Sequence, residues 1–568
     1  MKKQNLALAV SAALVLSACG GSSDKDNTPQ NVAPSDITLS AMKVDENMAG
    51  ATIGTLSATD ADSGDTHTYS VEGDMFKVDG NTLKLADNKI ANYEMAKELK
   101  AKVTAKDKAG ATLTKELTIS VSDLPDYDFM SKFKEGESSV SYTGQTARHA
   151  LIAELTNYIG DQLQKDIDDE TLKTRDDVLN ALNRYFRTST EQYDNFALKA
   201  FDGAKQGFLA DISSSHKSLE GKIAGRDPSK QHKNWLQEGE NSGQFAGWNA
   251  KGSTTPEKLV DIFFGQLADN AEIEIGGTER TFNGKTIPVY LNTDGTDLKQ
   301  LIQKFLLMAI TYSQGTDDYL DEGLGNDNTA GDSDGAKPYS SLEHQFDEGF
   351  GYFGAARDYL AYTDDEIAKK GGRDNWQGKH DTNGDGKIDL TSEINFGQSV
   401  NAAKRDRGTK DNAKPTDFTK TTMEAFIAGR KIINDAAGNA LTDAQMTELK
   451  AQRDIAVDGW EKAIAATVIH YINDTRADLE KLKTNAEDYS YSDLAKHWSE
   501  MKGFGLGLQF NPHSDITDAQ FEQIHTLMGT KPVMVEADDI ETYRDNLLQA
   551  RDIIAEALKL NSENVEKW

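Results

Sequence analysis

Leu113-Thr114-Lys115-Glu116-Leu117-Thr118-Ile119-Ser120-Val121, closed by Asp123-Leu124-Pro125-Asp126, is where the chain changes character. Up to Val121 it consists of short runs rich in Val, Ile, Thr and Leu, broken by turns, as β-strands are. From about Tyr127 the apolar residues recur with a period near 3.6, that of an amphipathic helix. The sequence therefore predicts a multidomain chain: a small all-β sandwich over 34–124, then a large, mainly α-helical bundle over 127–568.

Working back from this stretch, Asp36–Leu39, Thr52–Ser57, Thr66–Val71, Thr82–Leu85 and Leu99–Ala105 have the same composition. Short strands at such spacing within about 90 residues suit a sandwich. Working forward, helical periodicity runs through Thr146–Ile159, Asp176–Phe186, Thr255–Leu267, Asp297–Tyr312, Ser341–Tyr362, Thr416–Ala436, Thr442–Leu482, Ser492–Met501, Thr517–Met528 and Asp538–Leu560. Thr255-Pro256-Glu257 and Thr517-Asp518 supply helix starts. Residues 217–254 and 313–340 read as long polar loops, and 271–291 as a small hairpin. No short solenoid repeat is visible. The helical part reads as one bundle or two packed together.

The chain has 568 residues, a formal net charge of −31, ten prolines and one cysteine, Cys19. Such charge repels nucleic acid and anionic lipid and attracts cations, so nucleic acid is excluded as a partner. Few prolines suit long helices. At the start, Lys2 and Lys3 precede an apolar run, Leu6 to Leu16, too short to span a bilayer. It ends in Leu16-Ser17-Ala18-Cys19, followed by Gly20-Gly21-Ser22-Ser23. This resembles the lipobox of bacterial lipoproteins. The resemblance implies a signal peptide over 1–18, cleavage before Cys19, and a membrane partner reached through lipid on Cys19. Gly20 rather than Asp implies the outer membrane, with the chain lipid-anchored and facing the periplasm or the cell surface. Residues 19–33, rich in Gly, Ser, Asp, Asn and Pro, read as a flexible tether. With its one cysteine carrying the lipid, the mature chain holds no disulfide.

Several motifs in the β part form one pattern: Val32-Ala33-Pro34-Ser35-Asp36-Ile37, Asp45-Glu46-Asn47, Ile53-Gly54-Thr55-Leu56, Ala58-Thr59-Asp60-Ala61-Asp62, Asn92-Tyr93-Glu94, Ala105-Lys106-Asp107 and Val121-Ser122-Asp123. In order and spacing they resemble a bacterial cadherin-like repeat. In that family, edge acidic residues hold calcium, and the matching positions are Glu46, Asp60, Asp62, Glu94 and Asp107. Oxygen donors suit this hard cation. Asn92 stands where the family has a ligand Asp, and the closing linker is only Asp123-Leu124-Pro125-Asp126. The alternative is a spacer sandwich with acidic loops.

A second calcium motif is Asp381-Thr382-Asn383-Gly384-Asp385-Gly386-Lys387-Ile388-Asp389. It matches positions one to nine of an EF-hand or dockerin-type loop. Asp381, Asn383 and Asp385 fall at one, three and five, Lys387 at seven and Asp389 at nine, with Ile388 as anchor. Ser392 stands at twelve and Glu393 comes one residue late. Asp327-Asn328 with Asp332-Ser333-Asp334-Gly335 is a looser acidic loop, read as solvated.

The helical part resembles a family of uncharacterised surface lipoproteins with imelysin-like features. The segments are Val140-Ser141-Tyr142-Thr143-Gly144-Gln145-Thr146-Ala147-Arg148-His149, Glu343-His344-Gln345-Phe346-Asp347-Glu348 with Gly351-Tyr352-Phe353-Gly354, and His497-Trp498-Ser499-Glu500-Met501-Lys502-Gly503-Phe504. The imelysin signature Gly-x-His-x-x-Glu is altered, with Leu342 for Gly and Asp347 for Glu. On a helix His344 shares a face with Asp347 or Glu348, and His497 with Glu500. If these residues converge, they offer imidazole and carboxylate to iron or zinc.

The expectation is a lipid-anchored cell-envelope binding protein. It serves iron or metal acquisition through the helical part, with a metal or metal carrier as partner and calcium-stabilised loops. The alternative is a calcium-dependent surface adhesion or interaction protein with a protein or glycan partner. A peptidase-like hydrolase is the third reading. The chain lacks a His-Glu-x-x-His motif, a cysteine nucleophile after processing and a recognisable serine elbow, so an enzyme is not expected.

Overall fold

The computed structural model describes residues 30–226, 231–236 and 243–568. The expected signal peptide, Cys19 and the expected tether up to residue 29 lie outside them.

A β region precedes a large helical region. The strands are β1 (Asp36–Leu39), β2 (Lys43–Asp45), β3 (Thr52–Thr59), β4 (Thr68–Val71), β5 (Phe76–Asp79), β6 (Thr82–Leu85), β7 (Glu98–Lys106) and β8 (Thr112–Ser122). They form two four-stranded sheets, ordered β1-β3-β6-β5 and β2-β8-β7-β4. Period-two burial explains the longest strands: Ala101, Val103 and Ala105 of β7, and Leu117, Ile119 and Val121 of β8, are buried on alternate positions. β2 pairs parallel with β8, Val44 opposite Val121 and Asp45 opposite Ser122. β2 and β5 are additional to the strands expected from sequence.

The chain divides into two compact units. One takes Ile53–Lys84 and Lys100–Thr118 with the described residues up to Met42; the other takes Lys43–Thr52, Leu85–Leu99 and Ile119–Trp568. The second unit contains the helices. The longer ones are α1 (Thr143–Asn157), α2 (Arg175–Phe186), α3 (Pro256–Ile275), α4 (Leu298–Leu306), α5 (Ser341–Phe353), α6 (Gly397–Thr409), α7 (Phe418–Ala436), α8 (Asp443–Lys483), α9 (Tyr491–Gly505), α10 (Asp518–Met528) and α11 (Ala537–Ala557). Most of their starts are capped by side chains, as at α8, where the Thr442 side chain accepts the Gln445 N–H and the Gln445 side chain accepts the Thr442 N–H.

The 41-residue α8 is the spine. Its middle, Ala463-Ile464-Ala465-Ala466 with Val468 and Ile469, is sealed from solvent. It packs against α6, α7, α9 and α11. No described helix is long and apolar enough to cross a membrane.

Three expectations are corrected. The loop expected from 313 begins as helix: wide π-helical turns over Leu307–Tyr312 and Gly315–Tyr319 continue α4, with all these residues buried. Gly315 permits this, because a Cβ there would lie 2.6 Å from the Trp460 ring. The hairpin expected over 271–291 shrinks to Thr281–Phe282 with Lys285–Thr286, since α3 continues to Ile275 by burying Ala268 and Ala271. The helix expected to reach Tyr362 stops at Phe353, where Gly354 turns left-handed at φ 84°.

Candidate calcium site

β2 and β8 run parallel and end together, so Glu46, just after β2, emerges beside the segment following Ser122. Glu46 Oε1 accepts the Leu124 N–H at 2.8 Å, and Oε2 accepts the Tyr93 N–H at 2.6 Å. The 92–95 turn is set by Asn92, whose Oδ1 accepts the Met95 N–H at 2.7 Å. Asn92 Nδ2 donates to Asp128 Oδ2 at 2.8 Å, and Asn47 Nδ2 donates to Asp126 Oδ2. These bonds draw three carboxylates together. One oxygen each of Glu46, Glu94 and Asp126 lies within 4.8 Å of the other two.

Glu46 and Asp126 are 1% and 8% exposed. Glu94 Oε2 is sealed from solvent without a hydrogen-bond partner. Among the described residues none of the three makes an ion pair. Burial, then repulsion from Glu46, pushes the Glu94 carboxyl up to about 7. Burial, then Glu94 and Glu46, pushes Asp126 up to about 8. Glu46 is raised too, chiefly by burial. A cavity of about 310 Å³ opens beside Glu94, Asp123, Asp126 and Asp128. An all-oxygen, negatively charged set with an orphaned buried oxygen fits calcium, which Glu46, Glu94 and Asp126 would hold.

The other matched acids form a separate group. Oxygens of Asp60, Asp65 and Asp107 lie within 4.8 Å of one another. Here too the oxygens already accept hydrogen bonds. Asp60 Oδ1 accepts the Asp62 N–H at 2.9 Å, and its Oδ2 lies 3.0 Å from His67 Nε2. Asp107 accepts from Asn31 Nδ2, Gly110 N and Ala111 N at 2.7–2.9 Å. Such bonds lower both carboxyls: the Asp62 N–H leads for Asp60 and Asn31 for Asp107. Asp62 turns instead to the Val32 N–H. Asp126 and Asp65 were not among the expected ligands. Asp65 closely follows Asp60-Ala61-Asp62, whereas Asp126 lies in the closing linker, far along the chain from Glu46 and Glu94.

In the 381–393 loop the carboxylates hold the loop's own backbone. Asp381 accepts the N–H groups of Gly384, Asp385 and Gly386, Asn383 that of Asp385, and Asp385 that of Lys387. Glu393 accepts from Thr382 N and Asp389 N at 2.9 and 2.8 Å, closing the loop. Ile388 anchors it by backbone pairing with Gly203 and Lys205. Asp389 is taken by Lys205 and Gln206, each at 2.9 Å. Three of its acids do not form a close ligand group among the described residues.

The expected meeting of His344, Asp347 or Glu348, His497 and Glu500 does not occur in any such group of described residues. His344 Nδ1 lies 2.9 Å from the Ser141 carbonyl and its ring stacks on Tyr339. Glu348 accepts from Gln145 at 2.8 Å. Asp347 is the buried counter-ion of Arg430. His497 Nδ1 lies 2.7 Å from Asp478, and Glu500 pairs with Lys304 at 3.1 Å. Helical spacing aligned each pair, but distant partners claimed them.

No curated protein matches the chain. Residues 125–368 match a family model described as a domain of unknown function (DUF4856), which begins at the linker that carries Asp126.

Proposed function

We propose that this chain is a lipid-anchored cell-envelope protein whose Glu46, Glu94 and Asp126 hold calcium, and that it acts as a calcium-dependent surface interaction protein. The observation that carries this reading is the buried carboxylate trio with no cation of its own, together with the orphaned Glu94 Oε2. Repulsion within the trio and the loss of hydration are both relieved by a divalent ion. The cadherin-like motifs supply Glu46 and Glu94, and the lipobox at Cys19 supplies the anchor. A surface protein or glycan is the partner class.

Iron or zinc uptake through the helical part is the less supported reading, because its four expected ligands rest on separate partners. The test is calcium titration of the chain from Ser22 onward, followed by thermal unfolding, beside Glu94→Gln. Saturable stabilisation by calcium that this variant loses supports the reading. Equal stabilisation of both proteins, or none in the unaltered chain, removes it. Release of the Cys19→Ala protein from membranes tests the anchor.

A further inference from the structure

Among the described residues six arginines are buried to 7% exposure or less: Arg148, Arg280, Arg405, Arg430, Arg453 and Arg551. Five have acceptors. Arg430 binds Asp347 and Glu343, Arg453 binds the Leu320 carbonyl, and Arg551 binds Glu566. Arg148 and Arg280 bind backbone carbonyls. Arg405 on α6 is the exception. Its Nε is sealed from solvent with no partner, and among the described residues its guanidinium makes neither a hydrogen bond nor an ion pair.

The acids near Arg405 stay beyond ion-pair distance of it, and Glu500 Oε2 is itself sealed from solvent without a partner. Glu500 of α9 and Asp474 of α8 act on it electrostatically. Glu500 Oε1 pairs with Lys304 of α4 at 3.1 Å. Asp474 Oδ2 lies 3.4 Å from His470 Nε2 and 3.9 Å from His497 Nε2. Lys404, the preceding residue, is exposed and adds positive charge from the solvent side. Burial pushes the Arg405 pKa down to about 10, so it stays charged at neutral pH. A buried charge without a partner is strongly unfavourable, and a ligand of opposite charge removes that cost. A guanidinium fork matches the two oxygens of a carboxylate or phosphate.

We propose that Arg405, with Lys404 beside it, binds a small oxyanion, either a carboxylate or a phosphate group. Glu500 and Asp474 disfavour multiply charged ligands, so a carboxylate binds more tightly than phosphate. This site is independent of the calcium reading.

The test is thermal unfolding and isothermal titration calorimetry of the chain from Ser22 onward. Acetate, succinate and inorganic phosphate are each titrated against sodium chloride at constant ionic strength. The expected result is saturable binding of at least one oxyanion, weakened at least tenfold in Arg405→Met. Without ligand that variant unfolds at a higher temperature, because the unpaired charge is gone. Arg405→Lys keeps the charge but not the fork, and binds several-fold more weakly. Which probe binds best identifies the carboxylate or the phosphate source. The proposal is overturned if chloride matches all three probes, if Arg405→Met binds as the unaltered chain does, or, should that variant not fold, if Arg405→Lys does.

Discussion

Arg430 Nε donates to Asp347 Oδ1 at 2.7 Å, and both side chains are wholly sealed from solvent. Tyr127 Oη and the Ser141 N–H donate to the same carboxylate at 3.0 and 2.9 Å, while Arg430 Nη1 also reaches Glu343 at 2.8 Å. Asp347 is thus a buried counter-ion. Replacing it leaves Arg430 with part of its charge unmatched, at a cost of about 3–5 kcal/mol. Urea unfolding of Asp347→Ala should show that loss while elemental analysis finds the bound metal unchanged. Metal loss at unchanged stability would return Asp347 to the list of ligands.

Calcium should raise Tm, and Asp126→Asn should abolish the rise as Glu94→Gln does. The metal-free protein has a pH signature. Glu94 and Asp126 have folded pKa values raised to about 7 and about 8, above the ordinary carboxylate range. Between roughly pH 4 and 8 the folded state therefore holds more protons than the unfolded one, and stability falls as pH rises. Calcium replaces those protons, so its stabilisation should be larger at pH 8 than at pH 5. An equal gain at both pH values would place the bound ion elsewhere.

Lys502 of α9 is wholly buried, with Nζ 2.8 Å from His525 Nδ1. Burial brings its pKa down to about 7. Between about pH 7 and the unfolded value near 10 the unfolded state binds the proton that the folded state has lost. Stability contributed here rises with pH across that window and is lowest below it. Lys502→Met should flatten this slope and stabilise the neutral-pH protein. A steeper slope in denaturant titrations at pH 7 and 9 would contradict the assignment.

Gly315→Ala tests the packing of the π-helical turn. A Cβ placed 2.6 Å from Trp460 must displace that ring, at a cost of about 1–3 kcal/mol. Tryptophan fluorescence and chemical unfolding together check this, and an unshifted emission with unchanged stability would show that the turn yields freely.

Much of the fold was legible because β7 and β8 are long enough to display alternating burial, and α8 to display helical spacing. β2 and β5, Lys-Val-Asp and Phe-Lys-Val-Asp, lack the run of Val, Ile, Thr and Leu that marks the equally short β1 and β6. Glu46 and Glu94 were legible from local motifs. Asp126 becomes a neighbour only through the parallel β2–β8 register, which sequence does not display. The histidine proposal failed for a related reason. His344 takes its partner from Ser141, 203 positions away, and no helical spacing encodes that choice. Arg405 sits in Lys404-Arg405-Asp406-Arg407, which reads as an ordinary charged run; its lack of a partner is a product of packing alone.

The position of α8 along the chain has a consequence for biogenesis. This helix, Asp443–Lys483, buries the apolar faces of α6 and α7, which are made before it, and of α9 and α11, which are made after it. During N-to-C-terminal delivery the earlier helices must wait with those faces uncovered until the last quarter of the chain arrives. The helical unit therefore closes late, and until α8 arrives the uncovered faces of α6 and α7 are open to aggregation.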